Sequence, residues 1–252
     1  MTYELWWCIT AYTGYFDVNI ARSLNYSCDC IDFTYLFLLK NTGAHIFDAV
    51  AVKCTHPLSL ANESVIAVPM EALVCEWPDG CPSSCRCDYR LWNTTFHVYC
   101  SDANLSSLPL RLPPLPIISL DDKYRLDFSN NKLLRRLEHR PYIINTTILD
   151  VSNCALDFVD MNTWRAFAIM PSVAASFSDF LHADIDRAMG RSPIWSPRVV
   201  MPAVFLHGNK LESLPFNVTD INLTSVRLTL NDNPWKCSCD NRWMIALSLI
   251  HI

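Results

Sequence analysis

The cysteines are the residues of this chain whose type and spacing offer the most chemistry. Twelve cysteines lie among 252 residues, and their clustering suits either disulfide bonds or zinc thiolates. One set comprises Cys28, Cys30, Cys54 and Cys75, and a second comprises Cys81, Cys85, Cys87 and Cys100; Cys237 and Cys239 form a pair, and Cys8 and Cys154 stand apart. Neither set contains the two CxxC-like pairs of a zinc knuckle, so disulfides are favoured and no metal site is predicted.

Catalytic patterns are absent from the sequence. The seven histidines are dispersed at positions 45, 56, 97, 139, 182, 207 and 251, and no HExxH, GxSxG or DxDxDG pattern occurs. Asp121 and Asp122 are adjacent, and on an extended segment their side chains point apart. The five scattered glycines cannot build a phosphate-binding loop. We therefore expect neither an enzyme nor a cofactor.

Glycosylation signals indicate the cell compartment. The pattern Asn-X-Ser/Thr occurs seven times, at Asn25, Asn62, Asn93, Asn104, Asn145, Asn217 and Asn222. The composition predicts about two by chance. Glycosylated asparagines require the secretory pathway, which also oxidises thiols, so the sequence predicts a secretory protein with disulfides.

Charge and hydropathy exclude two further classes. The net charge of −5 argues against nucleic-acid binding. The basic run of Lys132, Arg135, Arg136, His139 and Arg140 is interpreted as solvated surface, with a nucleic-acid or glycan contact as the alternative. No apolar run reaches the roughly 18–20 residues of a membrane span. The apolar stretch 5–16 is a poor signal peptide, so we expect the true start of a secreted chain to be missing.

Four segments repeat a pattern of short apolar strands followed by a turn. Leu126, Phe128 and Leu133 with turn residue Asn131 form the first segment; the others are Leu149, Val151 and Leu156 with Cys154, Val204, Leu206 and Leu211 with Asn209, and Leu228 and Leu230 with Asn233. The spacing from Asn131 to Cys154 is 23 residues and that from Asn209 to Asn233 is 24. Both spacings fit leucine-rich repeats, in which the turn amide satisfies backbone groups that would otherwise be buried unpaired.

The segment 161–200 interrupts this period and lacks the repeat pattern. Ser172 could begin a helix that Gly190 closes, with Phe177, Leu181, Ile185 and Ala188 at helical spacing. We interpret the segment as an irregular insertion or a stretch of translated non-coding sequence. A ligand-contacting insert is the alternative.

The cysteine clusters resemble the caps of extracellular leucine-rich-repeat proteins, which cover the ends of the hydrophobic core. CPSSCRC from Cys81 to Cys87, with Cys100 following, resembles an N-terminal cap, and this resemblance implies the pairs Cys81–Cys87 and Cys85–Cys100. NPWKCSCDNRWM from Asn233 resembles the start of a C-terminal cap, in which Trp235 and Trp243 would cover the last turn.

The first cluster resembles a second C-terminal cap and implies the pairs Cys28–Cys54 and Cys30–Cys75. The order of caps resembles Toll receptors of the invertebrate, multiple-cysteine-cluster type. The predicted fold class is α/β, a leucine-rich-repeat solenoid segment with short parallel strands and disulfide-bonded caps. Its predicted parts are a leader at 1–24, a C-terminal cap at 25–80, an N-terminal cap at 81–118, repeats at 119–232 with the insertion 161–200, and a truncated second C-terminal cap at 233–252.

The resemblance implies the function of an extracellular receptor portion. Such a portion binds a protein ligand, a cystine-knot cytokine, and dimerises on the outer side of the plasma membrane. Cys237 and Cys239 would be unpaired because the chain stops before their partners, and the chain carries no membrane anchor. A secreted Slit-like guidance or adhesion protein is the alternative, and a zinc-dependent intracellular protein is a third class.

Overall fold

The computed structural model describes residues 26–28, 53–64, 67–69, 72–90, 94–115, 122–172 and 201–238. The chain divides into two compact units, Met1–Cys75 and Glu76–Ile252. The predicted helix from Ser172 to Gly190 falls almost wholly outside the described residues.

The first unit contains a small parallel strand pair. Strand β1 (Tyr26–Ser27) pairs with β2 (Cys54–His56), and a short 3-10 helix follows at Leu58–Leu60. A disulfide joins Cys28, directly after β1, to Cys54 in β2. The backbone N–H of Cys28 also donates to the carbonyl oxygen of His56 at 2.7 Å. The covalent bond and the backbone pairing thus hold the same two segments together.

The second unit is organised around a mixed sheet. Strand β3 (Cys75–Glu76) lies at one edge, and β4 (Arg86–Arg90) and β5 (Thr95–Tyr99) form an antiparallel hairpin. Strands β6 (Lys123–Asp127), β8 (Thr146–Asp150), β10 (Ala203–Phe205) and β11 (Arg227–Thr229) follow, parallel to β5 and in that order across the sheet. Parallel neighbours with long connections match the strand arrangement that the repeat spacing predicts.

The alternation of buried and solvent-facing side chains along the strands shows which side of this sheet faces the core. Leu126, Leu149, Val204 and Leu228 are in register on neighbouring strands, and all four side chains are buried. The residues on either side of each leucine or valine face the other way. Since parallel strands place equivalent residues side by side, one apolar position per repeat builds a continuous core.

A second, smaller strand pairing and short helices follow the first three turns. Strand β7 (Arg136–Leu137) pairs in parallel with β9 (Phe158–Val159), and 3-10 helices occupy Pro141–Asn145 and Phe216–Asp220. Helix α1 (Met161–Ala168) begins at Asp160, whose side chain accepts from the N–H of Asn162. The repeat spacing alone does not reveal these elements.

Helix α1 lies at the start of the segment that we expected to be irregular. Its Trp164 and Phe167 are buried and meet edge to face, with ring centroids 5.4 Å apart. The helix therefore contributes buried side chains to the core, in the segment that follows β8 and β9. Residues 173–200 lie outside the described part of the chain.

The prediction for Leu133 is wrong. The repeat pattern places this side chain with the core leucines, yet it is 57% exposed and the next residue, Leu134, is fully buried. The N–H of Leu134 donates to the carbonyl oxygen of Asn131, which closes a tight turn. Leu133 lies at the corner of that turn, so its side chain points outward.

Within the described residues, no helix is long and apolar enough to cross a membrane.

Candidate functional site

Each repeat turns at one residue with left-handed backbone geometry. The residue before each predicted turn position has a positive φ: Asn130 at 61°, Asn153 at 52°, Gly208 at 67° and Asp232 at 57°. Asn, Asp and Gly are the residues that tolerate this conformation at least cost. This choice of residues allows four turns of the same shape to stack. The backbone carries the stacking further, because Asn130 donates to Ser152, Asn153 to His207 and Gly208 to Asn231.

The turn residue Asn131 connects its own turn to the preceding segment of the chain. Its side-chain amide donates to the carbonyl oxygens of Phe128 at 2.8 Å and Cys100 at 2.9 Å. Its side-chain oxygen accepts from the N–H of Leu105 at 2.8 Å. Asn131 is fully buried, so these bonds replace water for backbone groups that would otherwise be unpaired.

Asn209 repeats this arrangement two turn positions farther along, after Cys154. It donates to the carbonyl oxygens of Val151 and Leu206, both at 2.9 Å, and accepts from the N–H of Leu156 at 3.1 Å. Asn233 does the same with Leu206, Leu230 and Leu211. The predicted turn positions therefore form a ladder that links successive repeats.

Cys154 occupies the same position with a weaker hydrogen-bonding group. Its thiol is buried and lies 3.3 Å from the carbonyl oxygen of Phe128, to which it donates. Burial raises the pKa of this thiol to about 11, partly offset by a backbone hydrogen bond from Asn131. A protonated thiol can donate to the preceding repeat, but its sulfur is a much weaker acceptor for a backbone N–H than an amide oxygen is.

Disulfides fix the hairpin that precedes the stacked turns. Bonds join Cys81 to Cys87 and Cys85 to Cys100, the two pairs implied by the resemblance to an N-terminal cap. Since Cys100 also accepts from Asn131, the second bond ties the cap directly to the first rung of the ladder.

Two further cysteines of the predicted caps, Cys75 and Cys237, lie among the described residues. Cys75 is buried and Cys237 is exposed, and neither forms a disulfide with another described residue. Cys30 and Cys239 lie outside the described residues, as does Cys8. The Cys30–Cys75 pair thus remains a prediction.

The hairpin also buries a polar network on the side of β4 and β5 away from the core. His97 lies between two hydroxyls, with Nε2 2.8 Å from Thr95 and Nδ1 2.7 Å from Tyr99. Burial, with lesser effects from Arg90 and Arg125, lowers the pKa of His97 to about 3. The imidazole is therefore neutral at physiological pH. Its register partner Asp88 lies between Arg86 and Arg90, and burial raises the pKa of this carboxyl.

Aromatic rings fill the core beneath the hairpin. Phe96 contacts Trp77 and Tyr124 edge to face, with centroid distances of 5.9 Å for both. Tyr89 donates to the buried carboxylate of Asp122 at 2.5 Å. Asp122, considered above as half of a carboxylate pair, thus has a structural partner.

The solvent-facing side of β6, β8, β10 and β11 is the candidate functional surface, and we call it the open face. Two rows of side chains in register define it. The first row runs Arg125, Ile148, Ala203, Arg227, and the second runs Asp127, Asp150, Phe205, Thr229. Apart from Ala203, these side chains are exposed or half-buried. The face therefore has an apolar centre with charges around it.

Within the second unit, the described glycosylation acceptors lie outside the strands of the open face. Asn104 follows the β5 turn, Asn145 ends a 3-10 helix, and Asn217 and Asn222 precede β11. These four and Asn62 in the first unit are exposed, so each is open to solvent. Asn25 and Asn93 lie outside the described residues. Sequence reasoning located the acceptors, but only the fold separates them from the open face.

Four of the remaining singled-out residues have structural partners. His207 lies 3.0 Å from the Thr229 hydroxyl through Nδ1, and Trp235 donates to the carbonyl oxygen of Leu230 at 3.1 Å. In the basic run, Lys132 donates to the Asn153 carbonyl and Arg140 pairs with Glu138. Trp243 is not described. Among the described residues, no three His, Cys, Asp or Glu side chains are placed to hold a metal ion.

Comparison with solved structures shows what the fold resembles. Two structures of the Toll–Spatzle complex from Drosophila, one of them a glycosylated form, match with a TM-score of 0.62 and 21% identity. The match covers 89% of this chain and 26% of the neighbouring chain, so this chain spans about a quarter of its neighbour. No family model and no curated protein matches the sequence. At this identity the likeness shows the fold alone.

Proposed function

We propose that this chain is part of the extracellular portion of a Toll-like transmembrane receptor in innate immune or developmental signalling. In this role it contributes to binding a protein ligand and to dimerisation, and it performs no catalysis. The observation that carries the proposal is the disulfide-bonded hairpin that runs directly into the stacked turns through Cys100 and Asn131. Such a cap suits an oxidising compartment.

The proposed architecture is a leucine-rich-repeat solenoid segment between cysteine caps. Residues 25–80 are a C-terminal cap of a preceding block, 81–118 an N-terminal cap, 119–232 the repeats and 233–252 the start of a second C-terminal cap. The ladder of Asn131, Asn209 and Asn233 supports the repeat assignment, because each amide bonds to its own turn and to the preceding segment. The Cys28–Cys54 bond supports the first cap.

The proposed ligand is a protein of the cystine-knot cytokine class. The structural neighbours are complexes of Toll with Spatzle, and the resemblance of the caps points to the same receptor type. An open face with an apolar centre, a charged surround and no glycosylation acceptor is suited to protein contact. Among the described residues, no cluster of His, Cys, Asp or Glu side chains is placed to hold a metal ion.

The secretory part of the proposal is tested on the chain produced through a secretory route. We expect removable N-glycans, and we expect peptide mapping to find Cys81–Cys87, Cys85–Cys100, Cys28–Cys54 and Cys30–Cys75. Thr224→Ala destroys one acceptor pattern and should remove the mass of one glycan, whereas Ser225→Ala, its neighbouring control, should not. A secreted chain with reduced clusters would refute the cap assignment.

The receptor part is tested by extending the transcript in both directions. We expect a membrane span and a Toll/interleukin-1-receptor signalling domain downstream, and a larger repeat block upstream. EGF modules or further repeat blocks in place of the membrane span would favour the Slit-like class and refute the Toll assignment. Binding of a processed cystine-knot cytokine to the extended ectodomain would then test the ligand class.

A further inference from the structure

Four charged side chains on the open face have no ionic partner among the described residues. Arg125 and Arg227 are the exposed ends of the first row, and Asp127 and Asp150 are neighbours in the second. The ion pairs of the described chain are formed by other residues, namely Arg86 and Arg90 with Asp88, Arg140 with Glu138, and Lys236 with Glu212.

The paired carboxylates are unfavourable for the sheet itself. Asp127 and Asp150 are in register on adjacent strands, where like charges destabilise pairing. Each accepts a hydrogen bond from the N–H of the serine two residues later, at 3.0 Å and 2.9 Å, and each keeps acceptor capacity toward solvent. An opposing cationic group would offset this repulsion.

The centre of the open face is apolar. Ile148 and Ala203 lie between the two arginines, and Phe205 lies beside Asp150. Protein interfaces commonly have this anatomy, with an apolar centre and a polar rim. No glycosylation acceptor lies on these strand positions.

We propose that the open face binds the same face of a second copy of this chain, through a two-fold axis that runs across the strands from β6 toward β11. The inference deepens the proposed function, on which it rests, by naming the surface and the partner for dimerisation. A two-fold contact uses the same patch on both copies, so the patch must complement itself.

The two rows provide this complementarity. The axis reverses the strand direction and keeps the order of strands, so the first row of one copy faces the second row of the other. Arg125 of each copy then lies opposite Asp127 of the other copy, and Ala203 of each copy lies opposite Phe205 of the other. Arg227 faces Thr229, and Ile148 faces Asp150. An axis along the strands would instead place Arg125 opposite Arg227, which like-charge repulsion disfavours.

The orientation also suits a membrane receptor. Because the order of strands is kept, both copies continue past β11 in the same direction. Two chains that enter one membrane must leave their ectodomains in the same direction. The opposite arrangement would send the two C-termini apart.

The size of the open face indicates weak association. Three strand spacings of about 4.8 Å make it about 14 Å wide, and two residues along a strand span about 7 Å. Even with a rim, this is below the roughly 800 Å² per partner of a standard stable interface. The contact is thus one that becomes populated when two chains share a membrane and their effective concentration is high.

A charge-exchange experiment tests the pairing. We would prepare the full glycosylated chain with Arg125→Glu, and separately with Asp127→Arg, and measure self-association by sedimentation velocity at high protein and low salt. Each variant alone should associate at least about tenfold more weakly than the wild type, since each opposes like charges. A one-to-one mixture should recover wild-type association, because both ion pairs are restored between unlike copies.

Matched controls carry the same charge changes away from the open face. Arg135→Glu and Asp157→Arg alter exposed residues and should leave association unchanged. A wild-type chain that stays monomeric at every concentration, or a mixture no better than its components, overturns the pairing. Loss of a cytokine ligand in the variants without any change in self-association also overturns it and assigns the face to the ligand. A glycosylated but monomeric chain leaves the receptor proposal standing, whereas absence of glycans refutes that proposal whatever the oligomeric state.

Discussion

Replacing Asn209 with alanine removes one rung of the ladder while leaving the apolar core intact. The side chain makes four backbone hydrogen bonds, to the carbonyl oxygens of Val151, Leu206 and His207 and from the N–H of Leu156. The His207 carbonyl keeps its bond from the N–H of Asn153. Leu206 keeps its bond from Asn233. The substitution therefore leaves two buried groups, the Val151 carbonyl and the Leu156 N–H, without that partner.

The expected cost follows from these two groups. An unsatisfied buried donor or acceptor costs about 1–3 kcal/mol, so Asn209→Ala should lower the free energy of unfolding by about 2–6 kcal/mol. With a urea m-value of about 1–3 kcal/mol/M, the midpoint should fall by roughly 1–2 M or more. The backbone on either side of the turn belongs to different repeats, so the loss should weaken their stacking.

The assay is urea unfolding of the disulfide-intact chain, followed by tryptophan fluorescence and by circular dichroism so that coincident transitions can be verified. Asn162→Ala is the matched control, because Asn162 is exposed on α1 and its amide oxygen bonds only the Arg165 side chain. A loss for Asn209→Ala below about 1 kcal/mol, or equal to that of the control, would refute the ladder as a source of stability.

Three further predictions test neighbouring features. Cys154→Asn should raise the free energy of unfolding by about 1 kcal/mol in the same assay, since an amide oxygen is a stronger acceptor than the thiol sulfur. An unchanged or lower midpoint would contradict this. Gly208→Ala should lower the thermal stability of the chain more than Gly80→Ala does. Both glycines have a positive φ, but only at Gly208 would the new Cβ lie 2.2 Å from Asn153 Oδ1. Equal losses in thermal unfolding would refute the steric argument. His97 has a pKa of about 3 in the folded chain and about 6.5 in the unfolded chain. Its contribution to the free energy of unfolding is therefore full above pH 6.5 and is lost as the pH falls toward 3, by about 1.4 kcal/mol per pH unit. His97→Gln should flatten this part of the stability profile, and an unaltered profile would show that other groups cause it.

The cap disulfides illustrate what local sequence can specify. Cys81 and Cys87 are six residues apart, and Cys85 and Cys100 are 15 apart, in segments short enough for a family resemblance to imply the pairing. Leu133 illustrates the opposite case. The repeat pattern selects Leu133, whereas the turn closed by the hydrogen bond from Leu134 to Asn131 leaves Leu133 exposed and buries Leu134.

The sequence by itself determined the repeat spacing, the turn asparagines, the glycosylation acceptors and the parallel strands. These features depend on residue type and local periodicity, which the chain carries in its order. The small β7–β9 pairing and helix α1 were not evident, because their stability comes from packing against distant repeats and not from a local pattern.

Only the tertiary structure decided the open face. Arg125, Ile148, Ala203 and Arg227 are up to about a hundred residues apart in the chain, and their neighbourhood exists because parallel register places them in one row. The pKa of His97 has the same origin, since desolvation depends on what surrounds the side chain. Periodicity can say that a residue faces outward, whereas its neighbours across the sheet are set by register, a property of the folded chain.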